Sequence, residues 1–593
     1  MKKEYGIALF IITVTGLLSV TLSGSVFSGY HFMDCSGFIL WKENLSETSF
    51  FECLKNNIEQ EMRIRFRPAW HFNSLVRTWL WGDNMLSQGF YQLFLVICAA
   101  FLVYLLGRKI NWTHGESLLF AGISLIGTQS AIFYQTLAIE TTALIVLLLS
   151  WHLILSYFNN CEGRRKSLYY YGFAFLSVFM ALMKENFILF LPASYLFYCM
   201  QYNEKYRVGF WKTILQTWKT GLWLLLLTVG CLWAVLTFAG NDFGYAGMGG
   251  VYNLFPYVKT TVYLYGISGC LLSFLIAVYL FRNSRINFKK WLFPILLFSA
   301  ITFPQIIIYG KSNIIDRYLI PAIMGCAGFS IFVYRKTKQQ DISVNTVLWK
   351  NASLFLGIVL SIFCGFLVFC KPLQEEIIQV ARLLQGEVTQ TMTSVSSMQY
   401  LLSSLSIIGI FGLITGIVLL IYGLIKNSIR KLSQLCLAGI LLVLFMNGGL
   451  AFASCKRYAM RGFATENFLK TIIDNSHACD AVLIVGNPYV DMEGISTGIS
   501  TYLKKWDRNN LFICPITNSS QEEQFIPVLK DFYRQKDINT IENKDEIKVI
   551  AVFPGSETVF ENTNRWFDVN SFHRYEFTGN YVVFVRNNNE WNN

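Results

Sequence analysis

Charge is scarce in this sequence: only 15% of its residues are Asp, Glu, Lys or Arg, against about 25% in an ordinary soluble domain. Together with 54% hydrophobic residues and a mean hydropathy of +0.42, that scarcity excludes a chain solvated by water alone. Other absences narrow the class further. The fourteen cysteines include no Cys-x-x-Cys pair at zinc-site spacing, which argues against a structural zinc module. No Gly-x-Gly-x-x-Gly follows a strand-like run, so a dinucleotide role has little support. There is no internal repeat or low-complexity tract. No basic-aromatic motif accompanies the net charge of +12, so that charge is not a nucleic-acid signal.

What fills the sequence instead is a succession of apolar runs about 17 to 25 residues long, the length a helix needs to cross roughly 30 Å of hydrocarbon. They fall at 6–26, 86–107, 115–133, 138–158, 168–183, 187–201, 221–239, 260–281, 291–309, 317–334, 348–370, 401–425 and 431–453. The expected fold class is therefore a polytopic α-helical membrane protein with about 13 transmembrane helices and a small C-terminal α/β domain. Residues 1–455 form the membrane domain, with a first outer loop over 27–85, and residues 456–593 form the water-soluble domain. The weakest division is the pair around 168–201, where Lys184-Glu185-Asn186 interrupts a stretch too long for one span.

Loop charge gives the helices a direction, because short cytoplasmic loops retain Lys and Arg. Arg108-Lys109, Arg164-Arg165-Lys166, Lys205 to Lys219, Arg282 to Lys290, Arg335-Lys336 and Lys426 to Lys431 fall in alternate loops. The reading is a multi-pass protein of the plasma membrane, with its N-terminus cytoplasmic and its C-terminal domain extracytoplasmic. In the tail, apolar runs at 481–486, 511–514, 549–553 and 581–585 read as strands, with helices near 464–475, 496–506 and 520–535. Cys479 and Cys514 are candidates for a disulfide, which only geometry decides.

The chemistry-bearing residues cluster at the outer ends of the spans. His31-Phe32-Met33-Asp34 follows the first span and places the Asp34 carboxylate near the membrane surface, either as a reactive group or as an ordinary interfacial acid. Arg63-Ile64-Arg65-Phe66-Arg67-Pro68 carries three arginines whose planar forks suit phosphate oxygens. The alternatives are pairing with Glu52, Glu59 and Glu61, or contact with anionic headgroups. Glu140 opens an apolar run, and an ionisable group at a helix midpoint costs on the order of 3 kcal/mol, so it is expected to face a polar cavity. Lys184 and Glu185 pose the same question, with mutual neutralisation as the simple answer. Asp316-Arg317-Tyr318 leads into a late helix through Pro321.

In their order along the chain, over about 20–335, these positions resemble the GT-C superfamily of membrane glycosyltransferases. Asp34 matches an acid just after the first helix, Glu140 an acid opening the fourth, and Lys184-Glu185 a Lys-Glu pair near the fifth and sixth. Arg317-Tyr318-Leu319-Ile320-Pro321 is similar to an Arg-Tyr-x-x-Pro element of that family. Cys35 stands where many relatives have a second acid, and the first loop has no Asp-x-Asp motif.

The resemblance implies a GT-C-like bacterial enzyme moving a hexosyl or pentosyl group, with inversion, from a polyprenyl-phosphate-linked sugar. The acceptor would be a cell-envelope glycan, lipid or protein at the outer face of the lipid bilayer. Asp34 would be the base and Glu140 a second catalytic group that orients the acceptor or completes a divalent-metal site. Arg65, Arg67, Lys184 and Arg317 would hold the donor phosphate, with His31, Glu185 and Tyr318 in support. No cofactor is otherwise called for. Rival readings are a flippase for a lipid-linked saccharide, whose charges would lie at mid-helix, and a non-catalytic envelope assembly protein. The glycine-rich stretch from Asn241 to Asn253 is a connecting loop or a flap over the donor.

Overall fold

The computed structural model describes residues 2–61, 67–127, 139–159, 163–239, 288–309, 319–339, 432–485, 492–513, 536–537, 546–554, 568–577 and 580–587, with residues 129, 135 and 560. The spans expected at 260–281, 348–370 and 401–425, the 520–535 helix and the Asn241–Asn253 stretch lie outside the described residues.

The chain begins with helix α1 (Lys2–Ser23) and, after a 3-10 turn at Ser25–Phe27, continues into three helices of the first loop: α2 (Phe32–Glu47), α3 (Phe50–Glu61) and α4 (Pro68–Trp81). The loop expected over 27–85 is thus a helical layer. Pro68 sits in the first turn of α4, where its missing N–H would have no helical partner anyway. Next come α5 (Met85–Lys109), α6 (His114–Leu125), α7 (Ile139–Asn159), α8 (Arg164–Ala181), the single turn α9 (Glu185–Ile188), α10 (Leu191–Tyr206) and α11 (Phe210–Ala239). Asn84 caps α5 by accepting from Ser87 N at 3.1 Å. Thr113 and Glu116 form a reciprocal capping box on α6. Helices α12 (Phe288–Tyr309) and α13 (Ile320–Gln339) follow, and then α14 (Leu432–Asp474).

Among the described residues four helices are long and apolar enough to cross a membrane: Lys3–Ser23, Met85–Lys109, Ile139–Asn159 and Phe210–Thr237. Their outward faces show why a bilayer is required, with Phe10, Leu22, Phe94, Leu225 and Trp233 all largely exposed. Inside, aromatic and small residues set the crossings. Trp151 stacks on Phe197 at 4.6 Å and donates its indole N–H to Ser194 at 3.0 Å. A Cβ on Gly325 would stand 2.7 Å from Ile301 Cγ2, so the α12–α13 approach needs glycine there.

The two ends of the bundle differ in kind. At one end Arg108 reaches Glu4 at 3.1 Å and the Trp112 carbonyl at 2.7 Å, Arg335 donates to the Asn111 carbonyl, and Lys109 meets Ser156 at 3.3 Å. The basic residues Arg108, Lys109 and Arg335 therefore gather on one face. The opposite face carries α2 to α4, the first residues of α7, and the turn between α8 and α10.

Helix α14 has 43 residues, roughly 65 Å at 1.5 Å per residue, about twice the hydrocarbon thickness. The span expected at 431–453 and the separate helix expected near 464–475 are one continuous rod, with no proline between them. The rod enters a domain made of β1 (Ala481–Val485), α15 (Met492–Lys505), β2 (Leu511–Ile513), β3 (Lys536–Asp537), β4 (Ile547–Val552), β5 (Phe572–Phe577) and β6 (Tyr581–Arg586). The sheet order is β3-β2-β1-β4-β6-β5. The first four strands are parallel and β6 joins β4 antiparallel. Val482 and Ile484 enter one apolar cluster and Ala481, Leu483 and Val485 another, which is why β1 reads as an unbroken apolar run. Cys479 is an exposed free thiol; Cys514, the partner considered for it, lies outside the described residues.

Candidate functional site

On the face opposite the basic loops, the turn following α8 brings two acids and two bases together. Lys184 adopts extended backbone as the N-cap of α9 and its ammonium meets the Glu140 carboxylate in the first turn of α7. One residue later Glu185 faces Arg67 at 3.7 Å. Arg67 in turn lies over the Trp70 ring, 4.5 Å from its centre. The Ala69 N–H donates to the Leu182 carbonyl at 3.1 Å, which pins the start of α4 to the end of α8. Glu140, Lys184 and Arg67 are all buried.

These contacts correct two simple expectations. No ion pair joins Lys184 to Glu185 among the described residues: an extended residue followed by a helical one sends the two side chains apart, to α7 and to α4. Nor does Arg67 pair with Glu52 or Glu59 among the described residues; Glu59 faces Lys55 at 3.8 Å, and the Glu61 side chain lies outside the described residues. Unscreened charges buried in this way are retained only with partners, since losing one partner of a buried pair costs about 3–5 kcal/mol.

Polar neighbours extend the site. Gln92 on α5 donates to the Thr141 hydroxyl at 2.7 Å, and His71 and Asn186 are buried beside Trp70 and α9. Arg77 on α4 donates to the side chain and carbonyl of Gln88 at 3.2 and 3.4 Å and lies over the rings of Phe38 and Tyr91. Burial pulls Arg77 down to about 10, which leaves it a cation at neutral pH. The sequence carried a signal for this layer that went unused: Gln88 and Gln92 stand four apart on one face of an apolar run.

Asp34 is the third residue of α2; its side chain lies outside the described residues. Arg65, Arg317 and Tyr318 lie outside them altogether. His31 is placed away from the ion pairs. It accepts or donates at 2.9 Å with the Ser28 hydroxyl and stacks on Tyr458 of α14 at 3.7 Å. Burial first, and the Arg461 charge second, lower its pKa to about 3. Among the described residues no group of three or more His, Cys, Asp or Glu side chains stands ready for a metal ion. Glu140 and Glu185 each face a cation, an arrangement that neutralises the acids and does not present them to a divalent ion.

This order of helices, with a helical first loop and a terminal α/β domain, is similar in fold to ArnT from Cupriavidus metallidurans bound to undecaprenyl phosphate, with a TM-score of 0.51 and 11% identity over 98% of each chain. The apo structure of the same protein aligns over 88% of each chain with a TM-score of 0.47 and 12% identity. At such identity the likeness is one of fold. No protein-family model and no curated protein matches the sequence.

Proposed function

We propose that this protein is a membrane glycosyltransferase taking its sugar from a polyprenyl-phosphate donor. The observation that carries the reading is the buried Glu140–Lys184 and Glu185–Arg67 arrangement at the bundle end opposite the basic loops. The shared fold adds support, since its ArnT neighbour was solved with undecaprenyl phosphate. Two cations held at the membrane's edge by carboxylates form a site whose counterions a phosphate can replace, and planar Arg67 and compact Lys184 suit that exchange.

In the proposed reaction Asp34 accepts the proton of the acceptor hydroxyl as its oxygen attacks the anomeric carbon. The bond from that carbon to the phosphate oxygen breaks, and the polyprenyl phosphate departs with the electron pair. The configuration inverts. Lys184 and Arg67, with Arg65 and Arg317, stabilise charge growing on the phosphate, Glu140 and Glu185 hold the cations in place, and His31 and Tyr318 give support. Envelope glycans, lipids and proteins are the acceptor classes, and the outer leaflet of the plasma membrane is the setting. A flippase would need its charges at mid-helix; here they sit at helix starts and at a turn.

The donor site is tested by binding undecaprenyl phosphate to the purified protein in lipid nanodiscs. Lys184→Met and Arg67→Ala are expected to weaken binding about tenfold or more, the value of one lost charge-assisted contact. Unchanged affinity in both folded variants contradicts the assignment.

A further inference from the structure

The five residues that lead into α2 are enclosed by the C-terminal third of the chain. Gly29 has φ +75° and lies directly against the Glu466 carboxylate of α14, which also accepts from the Tyr30 N–H at 3.3 Å. A Cβ on Gly462 would run into the Ser28 carbonyl and stand 2.5 Å from His31 Nε2. From the other side comes α15. Tyr30 donates its hydroxyl to the Gly498 carbonyl at 2.9 Å, and a Cβ on Gly498 would stand 2.5 Å from the Phe32 carbonyl oxygen and 2.8 Å from its Cα. Two glycines in separate helices thus admit one strand of backbone.

The enclosure continues along α2. Phe32, Cys35 and Ile39, spaced on one helical face, share an apolar cluster with Phe468 and Ile472 of α14, Ile499 and Leu503 of α15, and Val482, Ile484, Val549 and Val583 of the sheet. At the far side Asp83 takes Lys42 of α2 at 2.7 Å and Lys505 of α15 at 2.6 Å. Burial alone would raise the Asp83 carboxyl, but the hydrogen bonds and charges of these two lysines hold it below its usual range. Helix α2 is therefore packed as a helix of the outer domain, although the chain places it more than four hundred residues earlier.

We propose that the outer α/β domain positions the candidate base: Gly462 and Gly498 fix the 28–32 segment, and with it the first turn of α2 that bears Asp34. The inference rests on the transferase reading for its catalytic part. Gly462, Gly498 and Tyr30 are positioning residues, acting through the backbone of α2.

The test uses the full chain in nanodiscs, comparing wild type with Gly498→Ala, Gly498→Val and Tyr30→Phe, and with Gly449→Ala as a control where a Cβ meets nothing within 4 Å. Hydrogen exchange of residues 28–38 and steady-state transfer are both read. Faster exchange at 28–38 that grows from Ala to Val is expected, with kcat lowered about a hundredfold in Gly498→Val, a smaller loss in Tyr30→Phe and the donor KM within about twofold of wild type. Unchanged exchange, unchanged kcat, or a loss expressed in KM overturns the proposal. Opened exchange in a protein whose wild type transfers from no polyprenyl-phosphate donor overturns the transferase reading and the positioning role with it, while the docking of α2 stands. Should Gly498→Val fail to fold, Gly498→Ala and Tyr30→Phe decide the outcome.

Discussion

Each buried charge in the candidate site has a partner drawn from another helix, and the account turns on whether those pairs serve stability or chemistry. The two roles separate by substitution. Lys184→Met alone strands Glu140 and is expected to cost about 3–5 kcal/mol, read as a lower unfolding midpoint in detergent. The double variant Glu140→Leu with Lys184→Met is expected to recover most of that stability, since an apolar pair replaces a buried ionic one at little cost, yet to remain without transfer. A stable double variant with full transfer would mean the pair is architectural.

His31 supplies a pH dependence whose sign is fixed by its environment. Its folded pKa of about 3 lies below the ordinary 6.5, so the folded state favours the neutral ring. Its stabilising contribution is complete above pH 6.5 and falls as the pH drops from there toward 3, by about 1.4 kcal/mol per unit. Thermal unfolding followed against pH should show that slope, and His31→Gln, which keeps a polar group without the titration, should flatten it.

Helix α14 is the element that joins the helical bundle to the C-terminal α/β domain. Met460 on it is largely exposed, so Met460→Pro breaks the rod without removing packing, at about 3 kcal/mol for a helix-interior proline. The expected result is a folded bundle and a folded domain with transfer reduced about tenfold or more through lost alignment. Unaltered transfer would show that the rod is a passive tether. Element type was largely legible in the sequence where one periodicity dominated. Lys184-Glu185-Asn186 does separate two helices, α8 and α10, and the strands at 481–485 and 581–585 stand where apolar runs predicted them. Strand β5 was not legible because it is an edge strand with four exposed residues of six, and β3 because two residues form it. The helical nature of the first loop was hidden for a related reason: α2 has its apolar face at Phe32, Cys35 and Ile39, and the surface that face meets is coded in the last quarter of the chain.

At the scale of the whole molecule the sequence specified the solvent more readily than the site. Loop charge anticipated that Arg108, Lys109 and Arg335 would lie at one end, because that asymmetry is local in sequence. The pairing of Lys184 with Glu140 and of Glu185 with Arg67 was not legible, since neighbours in sequence were sent to different helices by one extended residue. The closeness of α2 to α15 was equally hidden, as nothing in residues 28–32 announces that two distant glycines will receive them.

The central claim concerns transfer of a sugar from a polyprenyl phosphate by a base in the first turn of α2. Its most direct test is release of polyprenyl phosphate from undecaprenyl-phosphate-linked hexoses and pentoses by the purified protein in proteoliposomes containing envelope acceptors. Acceptor-dependent release by wild type, lowered about a hundredfold or more in folded Asp34→Asn as expected for a lost general base, is the predicted result. Equal release by Asp34→Asn, or none by wild type with any of these donors, would contradict it.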